Sequence, residues 1–136
     1  MEREKKIVDA SVLVKLFSIE EDSNKAEYLI KNHVTEKIIL IIPELLFLEV
    51  SNALKYKKND ENKIKEANEK LWDFQFHIER LNKNIMDLAI KIALENNFTI
   101  YDSLYIALAQ IYGAELITAD EALLKIPNVK LLKYVK

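Results

Sequence analysis

The sequence predicts an α/β fold, a three-layer α/β/α sandwich in which helices cover both faces of a central parallel sheet. Two observations lead to this fold class. Short apolar segments rich in β-branched residues alternate along the chain with segments whose apolar residues recur at helical spacing. Within the 136 residues no repeat, low-complexity segment or linker interrupts that alternation, so we expect residues 1–136 to form a single domain.

The individual elements follow from apolar spacing and from residues that begin or end helices. The segment 37–42 is apolar on both faces, as an interior strand of a parallel sheet should be, and Pro43 stands where the next helix is expected to begin. Ser11 is a candidate cap for the first helix, and Gly113 is placed to end the last long one. In chain order we expect a strand at 5–8, helices at 12–17 and 20–34, a strand at 37–42, helices at 43–58 and 63–74, a strand at 76–81, helices at 82–97 and 99–112, a strand at 114–118, a short helix at 119–125 and a strand at 129–134.

The composition excludes several kinds of functional site. The chain has no cysteine, which excludes disulfides, thiolate metal sites and cysteine nucleophiles. Its single glycine, Gly113, excludes the glycine-rich phosphate-binding loops that bring several backbone amides to a nucleotide. The net charge of −2 and the pI of 5.8 leave no broad basic field, which argues against a protein that binds nucleic acid by charge alone.

The sequence shows no sign of membrane targeting. The first residues carry charges of both signs and make a poor signal peptide. The most apolar stretch, residues 38–50, has 13 residues and contains two glutamates, so it is too short and too charged to span a bilayer. We therefore expect a soluble cytoplasmic protein.

Four carboxylates are predicted to lie at one edge of the sheet. Asp9 and Asp120 directly follow predicted strands, and Glu49 and Asp102 lie on helices that follow strands. The ends of parallel strands and the starts of the helices after them share one edge of a sheet, where ligands bind in such folds. All four acids could therefore face one crevice, and without a cation their mutual repulsion should raise the pKa of at least one of them.

Three of these acids also have a structural explanation. Asp9 and Asp120 could cap helix N-termini by accepting hydrogen bonds from free amides. Asp102 could complete a capping box with Thr99, three residues before it. Each explanation accounts for one acid at a time.

Glu49 requires a partner, because it interrupts the apolar face of its helix and a buried, unpaired carboxylate is costly. Lys15 or Lys55 could form an ion pair with it. A single cause that explains all four acids is a site for Mg²⁺ or Mn²⁺, since these ions prefer oxygen ligands and need only a few carboxylates together with water.

Three blocks of the sequence carry a resemblance to a known family. The blocks read IVDASVLVKLF, ELLFLEVSNALKYKK and IYDSLYIALAQIYGAELITADEAL, and they resemble the motif blocks of the PIN domain family, particularly its VapC-like toxin branch. The match keeps the order of the blocks over nearly the whole chain. The resemblance implies a PIN-like parallel sheet and a Mg²⁺- or Mn²⁺-dependent endoribonuclease, usually a homodimer and often inhibited by a cognate antitoxin protein.

The resemblance also implies roles for particular residues. It places the four acids of the family, expected to be both metal ligands and catalytic residues, on Asp9, Glu49, Asp102 and Asp120. It further indicates three small polar residues that could support the site, namely Ser11, Asn52 and Thr118. We take Asp9 as the central ligand, and Asp120 as a ligand of a second ion or a residue that orients water.

Other polar and aromatic residues give weaker indications. The candidates for contacts with the RNA backbone are Lys15, Lys55, Lys57 and Lys58, although the last three lie near the end of a helix, where lysines are commonly solvated. The two histidines are interpreted as packing or surface residues rather than as a general base. Tyr105 and Tyr112 lie seven residues apart on one helical face, which we interpret as part of the core or of a dimer interface.

Two other functions remain open at this stage. A PIN-type nuclease that processes RNA without any antitoxin would have the same four acids. A binding module that holds RNA or protein without cleaving it could use the same fold, and loss of one of the acids would favour that interpretation.

Overall fold

A five-stranded parallel sheet forms the centre of the protein. The structure is a computed structural model and describes residues 2–136. Within those residues the strands lie in the order β3-β2-β1-β4-β5, and every neighbouring pair is parallel. This confirms the predicted α/β class with a central parallel sheet. The strands are β1 (Glu4–Val8), β2 (Ile38–Pro43), β3 (His77–Glu79), β4 (Glu115–Thr118) and β5 (Val129–Leu131).

Helices flank this sheet and connect its strands. They are α1 (Ala10–Val14), α2 (Ser23–Val34), α3 (Leu45–Tyr56), α4 (Glu61–Asp73), α5 (Lys83–Asn96) and α6 (Ile100–Tyr112). In residues 2–136, none of these helices is both long enough and apolar enough to cross a membrane.

Local signals in the sequence set the ends of the long helices. The side chains of Asp60 and Asn82 each accept a hydrogen bond, both 2.9 Å long, from an amide in the first turn of α4 and α5. Thr99 caps α6 in the same way at 3.0 Å. Gly113 ends α6 with a φ of 58°, a left-handed conformation that glycine adopts without steric cost.

Two residues that were expected at the starts of helices have other positions in the structure. Pro43 is the last residue of β2 and pairs with Glu79 of β3, and α3 begins only at Leu45. Proline has no N–H to contribute to a strand ladder, and the end of a strand tolerates that loss. Ser11 lies inside α1 and does not cap it, because β1 ends directly before Asp9 and leaves Asp9 in the N-cap position.

The C-terminal elements are shorter than predicted. The segment 119–125 forms a 3₁₀ helix over Glu121–Lys125, and the segment 129–134 divides into β5 and a second 3₁₀ turn, Leu132–Tyr134. In apolar runs as short as these, periodicity alone does not distinguish a strand from a helical turn.

The register of the sheet brings two distant segments together. Val8 at the end of β1 is aligned with Ile117 near the end of β4, and both are fully buried. The amide of Asp9 donates to the carbonyl of Ile117 at 3.3 Å, which continues the ladder by one step. Asp9 and Thr118 therefore lie side by side at the carboxyl edge of the sheet.

Candidate active site

Asp9 is the most buried of the four acids. Only 6% of the residue is exposed. The hydroxyl of Ser11 donates to its Oδ1 atom, and the hydroxyl of Thr118 donates to its Oδ2 atom. Contrary to one of the structural alternatives, the side chain of Asp9 caps no amide of α1. Its two oxygens are held instead by hydroxyl groups.

These two hydroxyls are themselves held by the loop that follows β4. Ser11 Oγ accepts a hydrogen bond of 2.9 Å from the amide of Ala119, and Thr118 Oγ1 accepts one of 3.1 Å from the amide of Asp120. A continuous set of hydrogen bonds thus runs from the backbone around Asp120 to the carboxylate of Asp9. The network positions Asp9 relative to the loop that carries Asp120.

Glu49 has a partner, and it is a tyrosine. The hydroxyl of Tyr105 in α6 donates to Oε1 of Glu49 in α3 at 2.6 Å. The ion pair considered from the sequence is not formed within residues 2–136: the amine of Lys15 donates to the carbonyl of Glu21 at 2.9 Å, and Lys55 is exposed. The charge of Glu49 is therefore stabilised by a neutral donor rather than by a cation from the protein.

Asp102 and Asp120 lie at the starts of helical segments. The amide of Asp102 donates to Thr99 at 3.0 Å, which is one half of the predicted capping box, and its side chain is half-buried. Asp120 is exposed and caps the 3₁₀ helix after β4, because its Oδ1 atom accepts a hydrogen bond of 2.9 Å from the amide of Ala122. Asp120 is therefore a helix cap, as one of the alternatives predicted. The cap uses Oδ1 and leaves Oδ2 available to bind a cation.

The charges of the acids act on one another, with Asp102 in the middle. Burial raises the pKa of Asp9 to about 6; the hydrogen bonds from Ser11 and Thr118 oppose this, and the charge of Asp102 adds to it. Burial also raises the pKa of Glu49. The hydrogen bond from Tyr105 lowers this pKa, and the charge of Asp102 raises it further.

The pKa of Asp102 is raised in the same sense, first by burial and then by the charge of Asp120. The raised pKa expected from four clustered acids is therefore found, but its larger cause is burial rather than repulsion. The phenol of Tyr105 also has a raised pKa, because it is buried and faces the charges of Glu49, Asp9 and Asp102. The charges of three of the four acids thus act on one buried hydroxyl.

The donor set fits a hard divalent cation. Its members are carboxylate oxygens from four distant parts of the chain, and the ions that prefer such ligands are Mg²⁺, Mn²⁺ and Ca²⁺. In the part of the chain that the structure describes, no three acidic or histidine side chains already stand at the spacing of a metal site. Binding of one ion by all four acids would therefore require their side chains to move closer together.

The remaining sequence-predicted residues are not brought into the cluster by any described contact. Asn52 is exposed on α3. His33 is buried and accepts a hydrogen bond of 3.1 Å from the amide of Leu40, so its role is structural, as interpreted from the sequence. His77 is exposed, and its Nε2 atom lies 3.1 Å from the hydroxyl of Tyr112.

The sequence does not predict two features near the acids. Its pattern places Tyr105 only in the core or an interface, although Tyr105 follows Asp102 by three residues and therefore shares its helical face. The second feature is a mostly apolar groove of about 470 Å³, which is lined by the residues directly before Glu49 and Asp102 in the chain but by none of the four acids. Its lining includes Leu45, Leu48, Leu81, Ile100 and Tyr101.

Comparison with known proteins identifies relatives with this architecture. The sequence matches the model of the PIN domain family over residues 6–129. It is 33% identical over 125 residues to the ribonuclease VapC3 of Pyrobaculum aerophilum, and the alignment covers 88% of this chain and 92% of that protein.

Solved structures share the fold. PAE2754 from Pyrobaculum aerophilum superposes with a TM-score of 0.74 at 24% identity, covering 96% of this chain and 85% of the other. A toxin–antitoxin complex from Klebsiella pneumoniae gives a TM-score of 0.71 at 20% identity, covering 93% of this chain and 97% of the other. At these identities the superpositions show a common fold.

Proposed function

Because the chain belongs to the PIN domain family and to its VapC-like branch, we propose that it is an endoribonuclease that hydrolyses RNA phosphodiester bonds with Mg²⁺ or Mn²⁺. One observation carries the proposal. The charge of Asp102 acts on both Asp9 and Glu49, and the charge of Asp120 acts on Asp102, which supports a site shared by the four acids. An arrangement that crowds negative charge in this way is costly for the metal-free protein and is relieved by a cation.

We assign the metal ligands to Asp9, Glu49, Asp102 and Asp120, with Asp9 at the centre because its orientation is the most firmly held. Ser11 and Thr118 fix the two oxygens of Asp9, so the lone pairs that remain point in a defined direction. When bound at such a site, a divalent cation lowers the pKa of a water molecule and stabilises negative charge on phosphoryl oxygens. The raised pKa of Asp9 means that a proton competes with the cation below about pH 6.

We further propose that the protein is the toxin of a VapBC-type pair, acting in the cytoplasm and bound by a cognate antitoxin. Support comes from the 33% identical relative, which is named a ribonuclease VapC, and from the Klebsiella structure, which is a toxin–antitoxin complex. A homodimer is part of the same proposal. The apolar groove supports it, because Leu48, Leu81 and Tyr101 are more than half exposed around it in the isolated chain.

Cleavage of fluorescent RNA oligomers tests the activity. We expect cleavage with Mn²⁺, none with EDTA, and a loss of at least about 100-fold in Asp9→Asn, since the change removes the ligand charge. The matched control is Asp87→Asn, because Asp87 lies on the exposed face of α5 and pairs with Lys83 at 2.8 Å. Absence of metal-dependent cleavage across several RNA sequences would contradict the proposal and favour a non-cleaving binding module.

A further inference from the structure

Tyr105 is a buried side chain whose hydroxyl contacts one of the four candidate acids. The residue is 1% exposed, and its hydroxyl donates to Oε1 of Glu49 at 2.6 Å. The bond joins α6, which also carries Asp102, to α3, which carries Glu49. Hydrogen bonds from a hydroxyl to a carboxylate are among the stronger ones in proteins, and 2.6 Å is within their usual range.

This bond restricts a side chain that would otherwise be mobile. Glu49 has three rotatable torsions and projects from the apolar face of α3, where Leu46 and Val50 are buried. The bond takes up one carboxylate oxygen and so fixes the direction of the other. Since the ring of Tyr105 is itself held in the core, the position of that second oxygen is set by the packing of α6.

We propose that Tyr105 is a positioning residue that presents Glu49 to the divalent cation. The inference rests on the proposed function, because it requires that Glu49 be a ligand. Residues that hydrogen-bond to metal ligands orient them, and their removal commonly weakens metal binding by 10- to 100-fold. A purely structural bond between two helices would affect stability alone.

The test compares two tyrosines of the same helix. Tyr105→Phe removes the hydroxyl that contacts Glu49, and Tyr112→Phe removes a hydroxyl that donates to Glu79 at 3.1 Å. Mn²⁺ affinity is measured without RNA, from the electron paramagnetic resonance signal of free Mn²⁺. We expect about a 10-fold or larger loss of affinity for Tyr105→Phe and no change for Tyr112→Phe.

A second comparison separates positioning from a general loss of structure. If Tyr105 acts through Glu49, then Tyr105→Phe should produce no further loss of Mn²⁺ affinity in a Glu49→Gln background. Full additivity of the two changes would overturn the inference. Melting temperatures in EDTA show whether each variant is folded.

A measurement on the unmutated tyrosine covers the case in which Tyr105→Phe does not fold. Protein labelled with 3-fluorotyrosine gives a ¹⁹F signal for each of its six tyrosines, and Tyr105 is identified by assigning the other five with Tyr→Phe variants. We expect saturating Mg²⁺ to shift the signal of Tyr105 and to leave that of Tyr112 in place.

The outcomes distinguish this inference from the proposed function. Uptake of Mn²⁺ by the wild type together with unchanged affinity in Tyr105→Phe overturns the role of Tyr105 and leaves the nuclease proposal intact. Failure of the wild type to take up Mn²⁺ and to cleave RNA overturns both.

Discussion

The hydroxyl of Thr118 donates a hydrogen bond to the carboxylate of Asp9 across 109 positions of sequence. The alignment of Val8 with Ile117 in two adjacent parallel strands places these residues side by side. Because Ser11 donates to the other oxygen, both oxygens of this buried acid are held. The orientation of Asp9 is therefore set by the register of the sheet.

Replacing Thr118 by valine keeps the shape of the side chain and removes the donor. A hydrogen bond to a charged group contributes about 1.5–3 kcal/mol, so we expect the free energy of unfolding at pH 7.5 to fall by that amount in urea titrations. The pKa of Asp9 should also rise further, because a bond that favours the ionised form is lost. The control Thr35→Val removes an exposed hydroxyl that bonds to the carbonyl of Lys31 at 2.7 Å, and an equal loss there would contradict a special role for Thr118.

Asp102→Ala should leave the metal-free protein as stable as the wild type or make it more stable. The substitution removes a charge that raises the pKa of both Asp9 and Glu49. By contrast, Asp60→Ala removes a helix cap from α4 and should cost about 1 kcal/mol. Thermal unfolding in EDTA measures both variants. A loss for Asp102→Ala as large as that for Asp60→Ala would show that capping is its main role.

The stability of the metal-free protein should depend on pH through Asp9. Burial raises the pKa of this acid from 3.8 to about 6, so the folded state binds the proton more tightly than the unfolded state. The resulting stabilisation is fully present below about pH 4 and is lost as the pH rises through 6, a change on the order of 3 kcal/mol.

Urea titrations from pH 4 to 7 in EDTA measure this effect as the difference between wild type and Asp9→Asn, in which the group cannot titrate. We expect the wild type to lose stability relative to the variant over this interval. A difference that stays constant with pH would contradict the raised pKa.

Lys55 is predicted to contact the RNA backbone. It is exposed on α3, whereas Lys57 is paired with Glu20 at 2.8 Å. Each phosphate contact adds roughly one to the slope of log affinity against log salt concentration, so Lys55→Ala should weaken RNA binding and reduce that slope by about one. Fluorescence anisotropy of an uncleavable RNA at several salt concentrations measures both quantities. An effect of Lys57→Ala as large as that of Lys55→Ala would leave the assignment of Lys55 without support.

The dimer proposal predicts that a charge in the groove dissociates the protein. Leu48→Glu places a carboxylate in the apolar groove and should shift sedimentation equilibrium from dimer towards monomer. Leu94→Glu is the control, because Leu94 is 80% exposed on α5 outside the groove lining. A wild-type protein that is already monomeric would contradict the proposal.

The sequence by itself determined the alternation of strands and helices, the choice of the four candidate acids and the end of α6 at Gly113. These features depend on residues near one another in the chain: β-branched runs favour strands, and Gly113 ends α6 in a left-handed conformation. The resemblance to the PIN domain family indicates Ser11 and Thr118, which match small hydroxyl positions two residues from Asp9 and Asp120.

Only the tertiary structure decided which group stabilises Glu49. Tyr105 is 56 positions away, and its apolar ring fits a helix core as well as its hydroxyl fits a carboxylate, so periodicity cannot reveal the pairing. The packing of the elements also decides that Pro43 belongs to β2 and pairs with Glu79. It likewise decides that burial, more than the charge of Asp102, raises the pKa of Asp9. Contacts between distant segments are set by packing and strand register, which short-range patterns do not encode.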